Sequence, residues 1–513
     1  VVRSIKERWK NSLITFIISL LPRSVSLHFP CYIYRMKQKL ARFTAFAENL
    51  FPHEVYFLNS IENFQIPENK RIMDTILYNL DHREKPRAFD TSIDKRKYSH
   101  LKKWIEARLA EADVDRQLLA IQQLEAKVLL DQVDQATEKQ IREWLKRGTP
   151  QHYYFRKIYE LAQHYEHFLL IRLREREGEN VGEYLNDFRQ DFEHAQDVFN
   201  QLQKATADII SQYRQRSEAR HKWEAFLTEV AYHPRMDGQN QYAAFIRLSF
   251  LHFNNGEHQK LEHLYNHIDG QFKKGRYYSR RILANYYANR LLYLSRYSSL
   301  DEAEQYGYLS IRRKNADYLF YLTNLSAVLL RQGKSHKALE LLREAFPEMR
   351  QTTSLHNKIG FIAFYLKCMI DIGRVRDAED FADSYLKAYP KQVMKGRWHL
   401  FFVAYFRSLM IQEKYGRLLY LAHRYKIESL DRANRQNSSY LPTISWYISV
   451  ARFVEEGEDE ARLLNEMQDA VAGVEFNAKR QQRLQKVYAE LEDVLPDVLV
   501  KVKSTIFNDD LVV

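Results

Sequence analysis

The chain has 513 residues and a net charge of +12, and it contains 15 glycines and 11 prolines, about 5% of residues against roughly 12% in average usage. Sheet-rich folds and glycine-looped nucleotide sites spend both residues on turns, so this scarcity argues against them and predicts an all-α chain. Hydrophobic content of 45% argues against global disorder, and two cysteines, Cys31 and Cys368, exclude a disulfide framework or a cysteine zinc site and fit a cytoplasmic setting.

Residues 1–35 differ in character from the rest of the chain. They carry six cations and one acid around an apolar run from Ser12 to Leu21, ended by Pro22. Ten residues are too few to span a bilayer, which needs about 20. Three readings stand: translation starting at Met36 with upstream sequence included, a secretory signal with Ser24 and Ser26 near its cleavage site, or a leader helix. The Met36 start is preferred, because Arg23 comes directly after the apolar run. An amphipathic pattern then begins with Leu40, Phe43, Ala47 and Leu50.

From 36 to 150 short amphipathic segments are punctuated by Pro52, Pro67, Pro86 and Gly148-Thr149-Pro150. The basic run Lys95-Arg96-Lys97 with Lys102 and Lys103 reads as a solvated helix face. Over 151–235 two longer segments keep a 4-3 apolar rhythm. The first is Tyr154, Ile158, Leu161, Tyr165, Phe168; the second runs from Val181 through Phe192 and Phe199 to Tyr213. That rhythm predicts two helices packed along a seam, folded back at Gly178–Gly182 as an antiparallel hairpin. A dimeric coiled coil is the rival.

Over 236–475 a spacing recurs. A turn residue at offset 0 is accompanied by small or apolar residues at −4, +5, +9 and +12. Leu329, Gly333, Ala338, Leu342 and Ala345 form one copy. Met369, Gly373, Ala378, Ala382 and Tyr385 form a second, and Leu409, Glu413, Leu418, Ala422 and Tyr425 a third. Looser copies centre on Gly256 and Ser298, and a degenerate one lies around Gly457 and Ala461. The spacing predicts helix pairs, each turning at a left-handed residue, with Ser335 as a cap, a small residue for close approach, and neighbours stacked to bury their faces. Residues 476–513 read as a C-terminal capping helix and tail.

The stretch Asn324–Ala345 resembles a tetratricopeptide repeat, with Gly333, Ala338, Leu342 and Ala345 at that family's turn and packing positions. The likeness covers roughly 240–470 and departs in its period near 40 instead of 34. It implies an α-solenoid whose first helices line a groove. Carried over, the inner-face slots are Ile246 and Phe250, Asn285 and Leu292, Phe320 and Thr323, Ala363 and Lys367, Val403 and Arg407. A mostly apolar groove of that kind suits an extended peptide or an amphipathic helix.

Two windows without acids fall on first helices. Gly270–Leu300 holds Lys273, Lys274, Arg276, Arg280, Arg281, Arg290 and Arg296 among Tyr277, Tyr278, Tyr286, Tyr287, Tyr293 and Tyr297. Ser384–Gln412 holds Lys387, Lys391, Lys395, Arg397 and Arg407. Together these twelve cations equal the net charge. Cations with interleaved tyrosines offer phosphate or carboxylate contacts and stacking faces. The plainer alternative, which is preferred, makes the tyrosines core and the cations a solvated face. His263 and His267 lie four apart near His258, and His164 lies near His167; both sets read as structural, with no metal and no cofactor expected. No Walker, GxGxxG, GxSxG or paired CxxC motif is present. The expectation is a non-enzymatic scaffold that binds a protein partner, with RNA or DNA binding as the alternative. Candidate partner-binding residues are Lys273, Lys274, Arg276, Tyr277, Tyr278, Arg280, Arg281, Asn285, Arg290, Lys367, Arg397 and Arg407.

Overall fold

A computed structural model describes residues 40–215, 222–435, 440–474 and 478–499. The N-terminal segment 1–35, with its three readings, lies outside the described residues, as does the tail after 499. Among the described residues there are helices and turns and no strand, so the chain is all-α. It divides into two compact units, whose described parts are 40–55 with 62–105 and 56–61 with 106–499.

The first unit draws on α1 (Ala41–Glu48), α2 (Pro52–Ile61), α3 (Pro67–Asp81) and α4 (Lys95–Ala112). Pro52 and Pro67 open their helices, where the missing N–H costs nothing. Glu54 caps α2 by accepting from the Phe51 N–H at 2.9 Å. The rings of Phe89 and Tyr98 meet Phe43 edge-on at 5.1 and 4.8 Å, beside buried Ile72, Met73 and Ile76. Lys95, Arg96 and Lys103 are exposed, as a solvated face requires.

The second unit begins with α5 (Val114–Leu129) and α6 (Gln135–Arg147), capped by Asp113 and Asp134. The hairpin comes next as α7 (Phe155–Ile171), α8 (Glu175–Asp187) and α9 (Arg189–Gln215). Its antiparallel sense is fixed by Arg156 on Gln196 (3.0 Å) and by Tyr159 stacked on Phe192 (4.2 Å). The reversal differs from the expected one. It falls at residues 172–174, where Leu173 adopts φ 56°, and Gly178–Gly182 lies inside α8. The chain reverses where the Schellman bonds form, Arg174 N–H to the Leu169 carbonyl and Leu173 N–H to Leu170, so an aliphatic residue does the work expected of glycine. The second arm is also interrupted, at Phe188 between α8 and α9.

Helix α10 (Glu224–Tyr232) leads into six helix pairs among the described residues. These are α11 (Gly238–Asn255) with α12 (His258–Lys273), α13 (Arg280–Tyr297) with α14 (Leu300–Ser310), and α15 (Tyr318–Arg331) with α16 (Ser335–Glu344). After the short α17 (Phe346–Gln351) come α18 (Leu355–Asp371) and α19 (Val375–Ala388). After α20 (Pro390–Lys395) come α21 (Trp398–Ile411) and α22 (Tyr415–Arg424). After α23 (Ile427–Asn434) come α24 (Thr443–Glu456) and α25 (Glu460–Val471). From α13 onward each first helix packs on the next first helix, and from α14 each second helix packs on the following first helix, through α24.

The repeat positions form the core of this stack. Leu329, Ala338, Leu342, Ala345, Met369, Ala378, Ala382, Leu409 and Leu418 are all buried. Gly256, Gly333, Gly373, Glu413 and Gly457 all take the predicted left-handed conformation. In three pairs the two Schellman bonds recur at like positions: Lys334 to Leu329 and Gly333 to Leu330, Arg374 to Met369 and Gly373 to Ile370, Lys414 to Leu409 and Glu413 to Met410.

Three details correct the sequence reading. Ser335 makes no capping hydrogen bond and stands as the first residue of α16, because the Schellman turn before it already sets the chain's path. Ser298 keeps a negative φ, and Ser299 caps α14 by accepting from the N–H groups of Asp301 and Glu302. In the last pair Ala461 is exposed, and Leu463 fills the core instead. The last described elements are α26 (Ala478–Glu492) and α27 (Pro496–Leu499).

Candidate functional site

The first helices leave one stripe each that the stack does not bury. On α15 it runs through Phe320, Asn324 and Ala327, on α18 through Phe364 and Lys367, and on α21 through Leu400, Val403 and Arg407. Of the slots carried over from the repeat resemblance, Ile246, Asn285, Leu292, Phe320, Lys367, Val403 and Arg407 are half-buried, and Phe250 is exposed. Thr323 and Ala363 are buried, so the open positions are one residue later, at Asn324 and Phe364. A repeat near 40 residues uses longer helices than a 34-residue one, and one residue turns a helix by about 100°.

Towards its N-terminal end the stripe includes a hydrogen-bonded polar chain. Tyr242 donates to Asn285 Oδ1 (3.1 Å), and Asn285 Nδ2 donates to the Tyr321 hydroxyl (3.3 Å), linking α11, α13 and α15. Arg281 donates twice to Asp115 of α5. Tyr277, Tyr278, Tyr286, Tyr287 and Tyr293 are buried, so their rings are core and cannot serve as stacking faces for a ligand. Tyr277 is held left-handed at φ 59°, its hydroxyl donating to Gln241 Oε1 and its ring against Gly238, whose missing Cβ makes room for it.

The cations of the first window are largely committed within the fold. Lys273 pairs with Asp269 (2.7 Å), Arg276 reaches Gln271 (3.3 Å), and Arg296 donates to the Phe253 carbonyl (2.9 Å). Arg290 lies over the rings of Tyr265 and Tyr293, at 5.1 and 4.9 Å. Arg280 is half-buried and Lys274 is exposed. The buried tyrosines are core, as the plainer reading expects, and Lys273, Lys274, Arg276 and Arg281 are exposed on the surface. In the second window Lys387 pairs with Asp383 (2.5 Å), and Arg397 donates to His356 Nδ1 (3.3 Å).

At its C-terminal end the stripe carries another helix. α26 packs on α24 and buries Leu484, Tyr488 and Leu491, spaced i, i+4 and i+7. The Tyr488 ring meets Trp446 at 6.0 Å. Glu490 accepts from Arg407 at 2.9 and 3.1 Å and from the Tyr447 hydroxyl at 3.4 Å. Arg407 also holds Asp371 of α18 at 2.6 Å, so one guanidinium ties α18, α21 and α26 together. Beside it Lys367 is pushed down to about 8, by burial first and then by the charges of Arg407 and Arg483. The thiol of Cys368, behind this face, is pushed up to about 12 by burial and is unreactive as a nucleophile.

No protein-family model, curated protein or solved structure matches the chain.

The histidines place a different cluster from the one the spacing singled out. His258 accepts or donates at the Tyr293 hydroxyl (3.3 Å) and stacks on Tyr297, and His263 is exposed. His267 is lowered by burial, then by Arg276 and Lys274. Among the described residues the group that brings three potential ligand atoms within 4.8 Å is Glu224, His252 and Glu257. Lys260 already sits on both carboxylates, at 2.5 and 2.9 Å, and His252 Nδ1 is 2.6 Å from Glu257. An ammonium therefore holds the place a metal ion would need. Among the described residues no helix is long and apolar enough to cross a membrane.

Sequence reasoning missed the role of α26. Its pattern of Leu484, Tyr488 and Leu491 marks it as amphipathic, yet nothing local says which face of the stack receives it.

Proposed function

We propose that this chain is a non-enzymatic interaction scaffold, tetratricopeptide-like over α11–α25, whose first-helix stripe binds an amphipathic helix of a protein partner. One observation supports the reading above the rest. α26 packs on the first helix α24, its Tyr488 ring against Trp446, and places the Glu490 carboxylate on Arg407 of the first helix α21, so this face has the shape and charge to take a helix. The buried tyrosines and paired cations weigh against the nucleic-acid alternative, which needs exposed rings and unpaired charge.

The test uses the full chain carrying Leu484→Asp and Leu491→Asp, which loosens α26, titrated into a fluorescein-labelled peptide of residues 478–492. Saturable binding is expected, weakening less than about tenfold between ~50 and ~200 mM salt, whereas phosphate-dominated binding falls far more steeply. Adding Arg407→Glu should abolish it. Tight, steeply salt-dependent binding of single-stranded RNA with no peptide binding would sink the proposal.

A further inference from the structure

Helices α5 and α7 pack on each other and end side by side. There Arg172, just past α7, donates to Asp131 Oδ1 at 2.7 Å, and its guanidinium lies over the Phe168 ring at 3.8 Å. Arg174 pairs with Glu138 of α6 and with Glu177 of α8, the latter at 3.0 Å. Two guanidinium straps thus fix the turn after α5 and the start of α6 against the turn after α7. Within two residues of the Arg172–Asp131 pair lie Leu129, Leu130, Leu170, Ile171 and Leu173, each between 48 and 82% exposed. Together they expose roughly 500 Å², a large apolar patch for a single chain.

Folding alone does not account for this tip. Asp131 and Leu173 are both left-handed, at φ 57° and 56°, where glycine would sit without steric cost. Leu173 bears that strain while being the most exposed large apolar side chain among the described residues. It gains almost no burial within the described fold, so burial comes only from a surface that docks on it. The polar rim narrows the occupant. Over 131–139 and 172–179 acids outnumber cations, which disfavours an anionic lipid surface. Asp131 and Glu175 stand beside Arg172 and Arg176, and all four are exposed. A rim of both signs is complementary to itself across a two-fold axis, as an isologous contact requires. Two copies of the patch would bury about 1,000 Å², the lower limit for a specific, transient association.

We propose that the tip formed by the ends of α5 and α7 is a self-association surface, and that its occupant is the same tip of a second copy of this chain. Arg172 and Arg174 hold both turns in place before association, so little ordering entropy is lost on docking. The proposal stands independently of the helix-binding reading.

The test is analytical ultracentrifugation of the full chain. A monomer–dimer equilibrium with a dissociation constant on the order of 10 μM is expected for an interface of this size. A chain that stays monomeric at ~100 μM overturns the proposal. Leu173→Gly should weaken association at least tenfold while leaving the melting temperature of the dilute, monomeric protein equal or higher, because glycine relieves the left-handed strain. Leu130→Lys, at an exposed helix end that tolerates a cation, should weaken association as strongly. A dimer unaffected by both substitutions is held together elsewhere and overturns the proposal. A fall in melting temperature with association unchanged shows that Leu173 serves the fold, with the same consequence. Binding to phosphatidylcholine vesicles that either substitution abolishes, without self-association, assigns the tip to a lipid surface and overturns it as well.

Discussion

Arg281 closes a two-pronged ion pair on Asp115, at 2.7 and 3.1 Å, although 166 residues of chain separate them. Next to it the Val114 N–H donates to the Tyr278 carbonyl at 2.8 Å. A residue that sequence reading offered to a partner is thus spent on joining α5 to the repeat stack. The pair is partly exposed, its side chains 60% and 35% accessible. Arg281→Met should therefore cost about 0.5–1 kcal/mol in urea denaturation. Arg281→Lys should recover only part of that, since an ammonium cannot reproduce the fork. A variant of unchanged stability would show that the pair contributes nothing to the fold.

The turns make a paired prediction about backbone strain. Gly333 and Gly373 are left-handed, and a Cβ at either would meet nothing within 4 Å. Gly333→Ala or Gly373→Ala should then cost only the conformational penalty, about 1 kcal/mol. Glu413 occupies the same turn with φ 56° and already carries that penalty. Glu413→Gly should raise stability by about 0.5 kcal/mol, the left-handed relief less the entropy glycine adds to the unfolded chain. Opposite shifts in melting temperature are the expected readout.

Gly307 works by a different mechanism. Its φ is ordinary, but a Cβ there would lie 2.6 Å from Leu325 Cδ1 and 2.8 Å from Leu291 Cδ1. Gly307→Ala should therefore cost about 1–3 kcal/mol through overpacking of α14 against α13 and α15. A loss no larger than that of Gly333→Ala would mean the three helices slide apart freely.

Asp237 ties stability to pH. Burial pushes its carboxyl up to about 6, against the hydrogen bonds from Asn240 and the charge of Arg156. In the unfolded chain the same group titrates near 3.9. From about pH 4 to 6 the native state therefore holds more protons than the unfolded state, and stability falls as pH rises through that window. The contribution is on the order of 2–3 kcal/mol. Asp237→Asn keeps an acceptor for the Asn240 N–H, 3.0 Å away, and should flatten the dependence. Denaturation curves at several pH values in that window would expose the difference; parallel profiles for the two proteins would refute it.

Local features were legible in the sequence because local physics sets them. Helix content is set by the scarcity of glycine and proline, and the repeat offsets place Ala338, Ala378 and Leu342 in the core. Left-handed turns at Gly333 and Gly373 come from the same offsets. The turn at Leu173 was not legible, since a leucine carries no sign of that conformation and the tertiary contacts of α7 and α8 impose it.

What the chain order alone decided, then, is that the chain is helical and that repeat turns fall at Gly333 and Gly373, because those choices depend on a few neighbouring residues. Only the tertiary structure decided which side of each helix meets another. Tyr286 and Tyr287 went inward, Arg281 found Asp115, and Phe364 took the open position beside buried Ala363. It also decided that α26 lies on first helices, with Glu490 on Arg407. The physical reason is that a helix presents a side chain every 100° or so, and long-range packing selects among those directions.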